Sequence, residues 1–403
     1  MSSFEPERPV ILLVSSNSSG RGGGEKYLVY LTTALREVGS TVHALVSTAE
    51  YMNVWDLELK TAGAVVHRLD LKSLAQRPLR FFQSITDGAQ IRRIARLCTD
   101  LRPDGIVVNQ QYDEDGLDYL AGALASGCKN VCGVMHLPMT AKKHERFLGG
   151  FRGIVLKSWY ERHPYSLILV SKGAQREFEK YYPRPRPTYV VNSAVPVVRP
   201  GHVPKRVIWR DDVPVVGFIG QFVPQKNLMF LIEGWVAALR SGSRSRLLLI
   251  GDGPQRPEIE RYLRTNAPSG SWLITGWVEH PEEYAGNIDL FLLLSHFEGL
   301  SLSLLEVASK GIPCLITDFN GGEEVLERAP WVLQTSSTDL LRYVADLRLV
   351  LVSLNKGESF SQTQVSQFNR YFSPRRMALE ILNTLGLAGP PFGVVPGRKS
   401  YGA

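Results

Sequence analysis

Two glutamates, a lysine, a histidine and a run of glycines are the residues whose types and spacing could do chemistry in this chain. Glu298 and Glu306 have seven residues between them in His296-Phe297-Glu298-Gly299-Leu300-Ser301-Leu302-Ser303-Leu304-Leu305-Glu306. The short apolar run Leu290–Leu294 ends just before this segment and reads as a strand. Glu298 is then predicted in a loop at the mouth of a crevice, and Glu306 about two turns down a helix beginning near Leu300. One carboxylate could hold the hydroxyls of a sugar, the other those of a second ring several ångströms away. Lys226 sits in Gly220-Gln221-Phe222-Val223-Pro224-Gln225-Lys226-Asn227, after the strand Val215–Ile219 and before a helix from about Asn227. A cation at the carboxyl end of a parallel strand is placed to meet a phosphate in an interdomain crevice. His136 follows the strand Asn130–Met135 and precedes the break Leu137-Pro138, a position from which a ring faces ligand more often than core. The cluster Gly20-Arg21-Gly22-Gly23-Gly24-Glu25 follows another strand. Its glycines let backbone approach a ligand closely, and the N–H groups opening the next helix favour an anion. Each feature also has a plainer reading: a chance spacing, a solvated lysine, a flexible turn. The turn Gly251-Asp252-Gly253-Pro254 is assigned no chemistry.

These residues need a scaffold of strands alternating with helices. The runs at Pro9–Val14, Thr41–Val46, Ala64–Leu69, Gly105–Asn109, Asn130–Met135 and Ser166–Ser171 are short and apolar, with helix-like stretches between them. Val190-Val191-Asn192 closes this series. That alternation predicts a parallel sheet covered on both faces. Seven prolines between Pro183 and Pro214 interrupt the pattern. A second series follows at Val215–Ile219, Arg246–Ile250, Trp272–Thr275, Leu290–Leu294 and Pro313–Thr317. The division is therefore 1–195 for a Rossmann-like first domain, 196–213 for a linker and 214–365 for a Rossmann-like second domain. Residues 366–403 hold a helix that could return to the first domain, then a loose tail.

The 403 residues suffice for two domains, each with its own core, and 44% hydrophobic with 21% charged residues excludes a disordered chain. Net charge is only +7, without aromatic interleaving of the basic residues, so no nucleic acid is expected as partner. Seven cations face two carboxylates in 71–103, and six face two in 142–162. Such polarity could steer an anionic acceptor or lipid surface, although solvated helix faces are the stronger account of it. Cys98, Cys128, Cys132 and Cys314 lack metal-type spacing and read as reduced thiols. The opening MSSFEPERPV has no apolar core of a signal peptide, and no run is long enough to cross a bilayer. The expected location is cytoplasmic, with peripheral contact at the inner face of a membrane.

In order and spacing, the segments resemble the retaining glycosyltransferases of family 4. The resemblance covers nearly the whole chain: GGGEKYLVYLTTALREVG (22–39), VCGVMHLP (131–138), LVSKGAQREF (169–178), FIGQFVPQKNLMFLIEG (218–234), LLLIGDGP (247–254), ITGWV (274–278) and, densest, 289–326. It implies a GT-B fold, two doubly wound α/β domains facing across a cleft. It also implies transfer of a sugar from a UDP- or GDP-sugar to an acceptor hydroxyl with retention, without metal or other cofactor. Gly23 and Gly24 would close over the donor diphosphate and meet the acceptor. Lys226 would face the diphosphate, Glu298 the transferred sugar, Glu306 the ribose, and His136 both sugar and acceptor. Asn320, Gly321 and Gly322 would pass near the sugar or phosphate, with Glu324 a common acidic position after them. The acceptor would be a small molecule, a glycan or a lipid-linked intermediate.

Four departures from the family pattern stand out. Gln221 replaces the usual arginine beside the diphosphate, and an amide supplies neither the charge nor the forked donors of a guanidinium. Leu300-Ser301 replaces an aromatic-glycine pair, Asn192-Ser193 replaces asparagine-glycine, and Pro196 stands where an acidic residue is common. The alternatives are a nucleotide-sugar epimerase or hydrolase on the same plan, and a catalytically silent sugar-nucleotide binder, which Gln221 favours.

Overall fold

The computed structural model describes residues 8–17, 22–77, 80–139, 148–182, 187–195, 209, 212–355 and 360–387. Two sheets organise them. The first is built from β1 (Val10–Ser15), β2 (Thr41–Ser47), β3 (Val65–Leu69), β4 (Gly105–Gln110), β5 (Val131–Met135), β6 (Ser166–Leu169) and β7 (Thr188–Val190), in the order β3-β2-β1-β4-β5-β6-β7. The second comprises β8 (Val215–Ile219), β9 (Arg246–Ile250), β10 (Trp272–Ile274), β11 (Leu290–Leu293), β12 (Cys314–Ile316) and β13 (Val332–Gln334), in the order β10-β9-β8-β11-β12-β13. Every strand pair in both sheets is parallel.

Both sheets follow one rule. The chain runs outward from β1 through β2 and β3, then returns to the far side of β1 with β4; the second sheet repeats this with β8 through β10 and then β11. At each reversal the flanking loops diverge and leave a crevice outside the carboxyl ends of the strands, where ligands of such sheets bind. The central strands are covered on both faces, which is why their sequences read as unbroken apolar runs: Ile11, Leu12, Leu13 and Val14 are all fully buried, as are Leu290 to Leu293. Large rings anchor the second core. Trp235 and Trp331 bury completely while their indole N–H groups donate to Ser245 Oγ and the Ala308 carbonyl, each at 3.0 Å.

Several boundaries move from the sequence expectation, each for a local reason. Strand β6 stops at Leu169, because the Ser171 side chain accepts from Ala174 N–H and caps the helix Lys172–Tyr181. The helix carrying Glu306 starts at Leu302, with Ser301 as its cap, rather than near Leu300. Glu306 therefore lies about one turn into it, not two. The helical tail is two helices, Gln362–Tyr371 and Pro374–Thr384, separated at Phe372-Ser373, where Ser373 caps and Pro374 opens the second. Pro374–Thr384 packs against the helix Gly23–Glu37 of the first sheet's unit. The crossing is pinned where Val195 N–H donates to the Phe372 carbonyl (2.7 Å) and Tyr371 Oη to Asn192 Oδ1 (3.2 Å). Of the predicted linker 196–213, only 209, 212 and 213 are among the described residues.

Candidate functional site

The candidate residues converge on the crevice outside the two strand reversals. Lys226 lies in the turn Pro224–Lys226 after β8, and Glu298 in the loop after β11. The lysine Nζ is 2.5 Å from Glu298 Oε1, which also accepts from Ser295 Oγ at 2.8 Å. Two further bonds clamp the loops together: His296 N–H donates to the Gln225 carbonyl (2.9 Å), and Gln225 Nε2 to the Phe297 carbonyl (2.8 Å). The Lys226–Glu298 pair is thus mostly buried and neutralises itself. A diphosphate entering here would compete with the carboxylate for the ammonium, releasing Glu298 towards a sugar.

The loop Gly251-Asp252-Gly253-Pro254 supports this arrangement. Phe222 N–H donates to the Asp252 carbonyl at 2.8 Å, and Asp252 Oδ2 pairs with Arg256 at 2.8 Å. Gly251 has φ +141°, and a Cβ there would overlap the Gly220 carbonyl oxygen, so only glycine fits between β8 and β9.

The first unit supplies the opposite wall. Gly23 and Gly24 open the helix Gly23–Glu37, and a Cβ on Gly24 would come within 3.0 Å of Gln111 Oε1 and 3.2 Å of Asn109 Nδ2. Asn109, at the end of β4, donates from Nδ2 to the Gly24 carbonyl at 3.1 Å. Its Oδ1 therefore faces His136 Nε2 at 2.7 Å, which makes that ring nitrogen the donor. Burial holds the imidazole pKa down at about 4, so the ring is neutral at pH 7 and Nδ1 is its acceptor. The edge of the Tyr27 ring packs on it at 4.8 Å. A histidine whose pKa drops on folding stabilises the fold fully above its unfolded pKa of 6.5 and loses that contribution as the pH falls towards 4. Thermal unfolding should show stability declining between pH 6.5 and 4, with a smaller decline in His136→Gln. Parallel pH profiles for the two proteins would contradict this.

Backbone meets backbone between the two walls. A Cβ on Gly299 would overlap the His136 carbonyl oxygen, one on Gly173 the Asn320 carbonyl, and one on Gly321 the Gly299 carbonyl. Ser171 Oγ donates to the Gly299 carbonyl at 3.0 Å, and the fully buried Glu324 accepts from Lys172 N–H. Asn320, Gly321 and Gly322 thus lie where the loop after β12 abuts the first unit, and Gly322 opens the short helix Gly322–Leu326. Gln221 is half-buried beside the Lys226 turn.

Glu306 is only 2% exposed, and its partners come from the other unit: Tyr30 Oη donates to Oε1 at 2.7 Å and Lys26 Nζ lies 2.9 Å from the same oxygen. Sequence reading missed Lys26, Tyr30 and Asn109, because nothing local marks residues whose partners sit on a distant part of the chain.

The basic segments also need correction. Arg77 and Arg152 count among their cations, yet both are buried, Arg77 against Asp118 (2.5 Å) and Arg152 against Glu114. The acidic run Asp113-Glu114-Asp115 is consumed in the same interior. Asp113 accepts from Tyr182 Oη (2.7 Å), and Asp115 from Ser16 Oγ (2.6 Å) and Gln111 N–H (3.0 Å). Among the described residues no group of His, Cys, Asp and Glu is arranged to hold a metal ion, the four cysteines are free, and no helix is long and apolar enough to cross a membrane.

Comparison with known proteins adds to this geometry. Residues 213–348 match the family model described as "Glycosyl transferases group 1". The fold is GT-B. A solved structure of Anabaena Alr3699/HepE in complex with UDP and glucose superimposes with a TM-score of 0.70 at 14% identity, covering 94% of this chain and 99% of that one. Among curated relatives, the putative glycosyltransferase EpsF of Bacillus subtilis is 34% identical over 26% of this chain and 27% of its own length. The UDP-Gal:alpha-D-GlcNAc-diphosphoundecaprenol alpha-1,3-galactosyltransferase of Escherichia coli is 27% identical over 27% of this chain and 28% of its own. The chain thus aligns with just over a quarter of the length of these curated relatives.

Proposed function

We propose that the protein is a glycosyltransferase that moves a sugar from a nucleoside-diphosphate sugar to an acceptor hydroxyl with retention of configuration, as members of family 4 do, and without a metal. The observation that carries this reading is the Lys226–Glu298 pair at the strand reversal of the second sheet, with Gly299, next to Glu298, pressed on the His136 backbone and Gly24 lying against the neutral His136 ring. As the bond from the anomeric carbon to the diphosphate breaks, negative charge grows on the leaving phosphate and positive charge on the ring. Lys226 and the N–H groups opening the Gly23–Glu37 helix would stabilise the first, which is electrostatic catalysis. Glu298, freed from the lysine, would hold the sugar and stabilise the second. The acceptor oxygen would attack on the face the diphosphate leaves, giving its proton to the departing phosphate oxygen. His136 Nδ1 is free in its tautomer to accept a hydroxyl hydrogen bond.

The test is a screen of UDP-, GDP- and ADP-sugars by ligand-induced thermal shift with and without EDTA, followed by the anomeric configuration of the product. One donor class should raise the unfolding temperature in both conditions. No shift with any donor would remove the transferase reading. A shift followed only by free sugar, with every acceptor tried, would favour the hydrolase.

A glycan or lipid-linked acceptor fits best, the donor being a UDP-sugar. In support, the E. coli relative is named for a diphosphoundecaprenol acceptor and a UDP-sugar. On the first unit, Leu148, Phe151 and Ile154 at the start of the helix Gly149–Arg162 are all exposed, the Phe151 ring lies 6.5 Å from exposed Phe82, and Lys157 is exposed on the same helix. Apolar side chains next to cations suit the surface of an anionic bilayer. The protein should sediment with vesicles containing phosphatidylglycerol and not with neutral ones, and Phe151→Ser with Ile154→Ser should lower that binding by about tenfold. Equal binding by the double variant would exclude this face.

A further inference from the structure

The Gly23–Glu37 helix of the first unit reaches across the crevice to the second. Lys26 and Tyr30 stand four residues apart and so share one face of that helix. Both point at the same oxygen, Glu306 Oε1, and Lys26 Nζ also lies 3.0 Å from Glu282 Oε2 in the segment Pro281–Asn287. Partial burial alone would lower the pKa of this half-buried lysine. Here the carboxylates outweigh burial, and its pKa stands above the ordinary lysine range. Lys26 faces Glu306, Glu282 and Tyr30, so one cation meets two anions in a place with little water. Glu282 is in turn held ionised, its pKa lowered chiefly by Lys26 against the cost of burial.

We infer that Lys26 and Tyr30 are positioning residues for the nucleoside end of the donor site, fixing the Glu306 carboxylate from the opposite unit so that the site is complete only when the two units are closed. The inference rests on the proposed donor chemistry, in which Glu306 receives a ribose diol. A carboxylate whose Oε1 is held by an ammonium and a phenol presents its other oxygen in a fixed direction. A diol gains most from an acceptor that need not be ordered on binding. The same contacts join the second unit's short Leu302–Ala308 helix to the first unit. Nucleoside binding and closure then stabilise one another, and the coupling must act in both directions.

The experiment compares wild type with Lys26→Met, Lys26→Arg and Tyr30→Phe in two assays. Small-angle scattering of the ligand-free protein should give a larger radius of gyration for Lys26→Met than for wild type, with Lys26→Arg between them. Steady-state kinetics with the donor found by the screen should show the donor KM raised about tenfold in Lys26→Met and about threefold in Tyr30→Phe. The acceptor KM and kcat should change less than threefold, and Lys26→Arg should recover part of the donor KM. A strut without a nucleoside role would open the protein yet leave the donor KM unmoved, and that result overturns the inference. A lower donor KM in Lys26→Met also overturns it, because Lys26 would then be a plug that the nucleoside displaces. Unchanged scattering removes the closure half. If the wild type binds no nucleoside diphosphate at all, the donor reading fails, while scattering still decides whether Lys26 holds the units together. Should Lys26→Met fail to fold, Tyr30→Phe and Lys26→Arg carry the same comparison.

Discussion

Lys226→Ala is expected to lower kcat/KM for transfer by about a hundred- to a thousandfold, the range seen when one preorganised donor to a developing anion is removed. The lysine is the cation at the carboxyl end of β8, and it is already desolvated with its partner: its side chain is 16% exposed and that of Glu298 10%. Little reorganisation is then required when the charge moves from carboxylate to phosphate. Gln221 adds weight to this residue, because the amide beside it cannot supply a second full charge. The substitution has a second consequence that separates it from a simple loss of binding. Without the ammonium, Glu298 keeps Ser295 as its remaining hydrogen-bond donor in a mostly buried place, and breaking such a pair costs about 3 kcal/mol. Lys226→Ala should therefore lower the unfolding temperature of the ligand-free protein. Adding Glu298→Gln should restore much of the stability, because the orphaned charge is gone, while activity stays low. Chemical denaturation and kinetics on the three variants check both halves. Stability restored together with activity would mean that the pair is a structural device and that the diphosphate sits elsewhere.

How much of this could be read from the sequence depends on where each residue's partner lies. The central strands were legible because they are buried on both faces and leave unbroken apolar runs, as at Ile11–Val14 and Leu290–Leu293. Strand β13 was not, because it is a three-residue edge strand whose Leu333 and Gln334 are exposed. The start of the Glu306 helix was misread by two residues, since Leu300 looks helical in an apolar run while Gly299 is pressed on the His136 backbone and Ser301 supplies the cap. Lys226, Glu298, Gly24 and His136 lie in the segments that follow strands, so the topology of each sheet puts them at its carboxyl ends. Lys26, Tyr30 and Glu282 lie on elements whose only unusual property is what they touch across the cleft, and Glu306 is 276 residues from Tyr30. The acidic run Asp113-Glu114-Asp115 likewise carries no local sign that it is buried. Tyr182 donates to Asp113, Arg152 to Glu114 and Ser16 to Asp115, which is enough to bury all three.

Gly299→Ala should abolish most transfer while leaving both units folded. A single methyl at this position would overlap the His136 carbonyl oxygen and carbon, and neither atom can yield, being backbone at the end of β5. Gly299 is itself backed by Gly321, whose own Cβ would overlap the Gly299 carbonyl, so the loop cannot retreat towards β12 either. The strain is relieved by the units moving apart at the edge that carries Glu298 and His136. The Ser171 Oγ bond to the Gly299 carbonyl, 3.0 Å long, would be lost with it. A displacement of about one ångström between reacting groups lowers a rate by about a hundredfold. Donor contacts within the second unit, at Lys226 and the loop after β8, remain. The expected result is an unfolding temperature within a few degrees of wild type, a nucleoside-diphosphate Kd raised by up to about tenfold as in Lys26→Met, and kcat reduced by about a hundredfold, because the added methyl, unlike the Lys26 variant, bars the units from closing again on the donor. Gly173→Ala, which meets the Asn320 carbonyl on the same boundary, should behave alike. A fully active Gly299→Ala would mean that this backbone contact is broken during turnover, so that catalysis proceeds with the units further apart than they stand here.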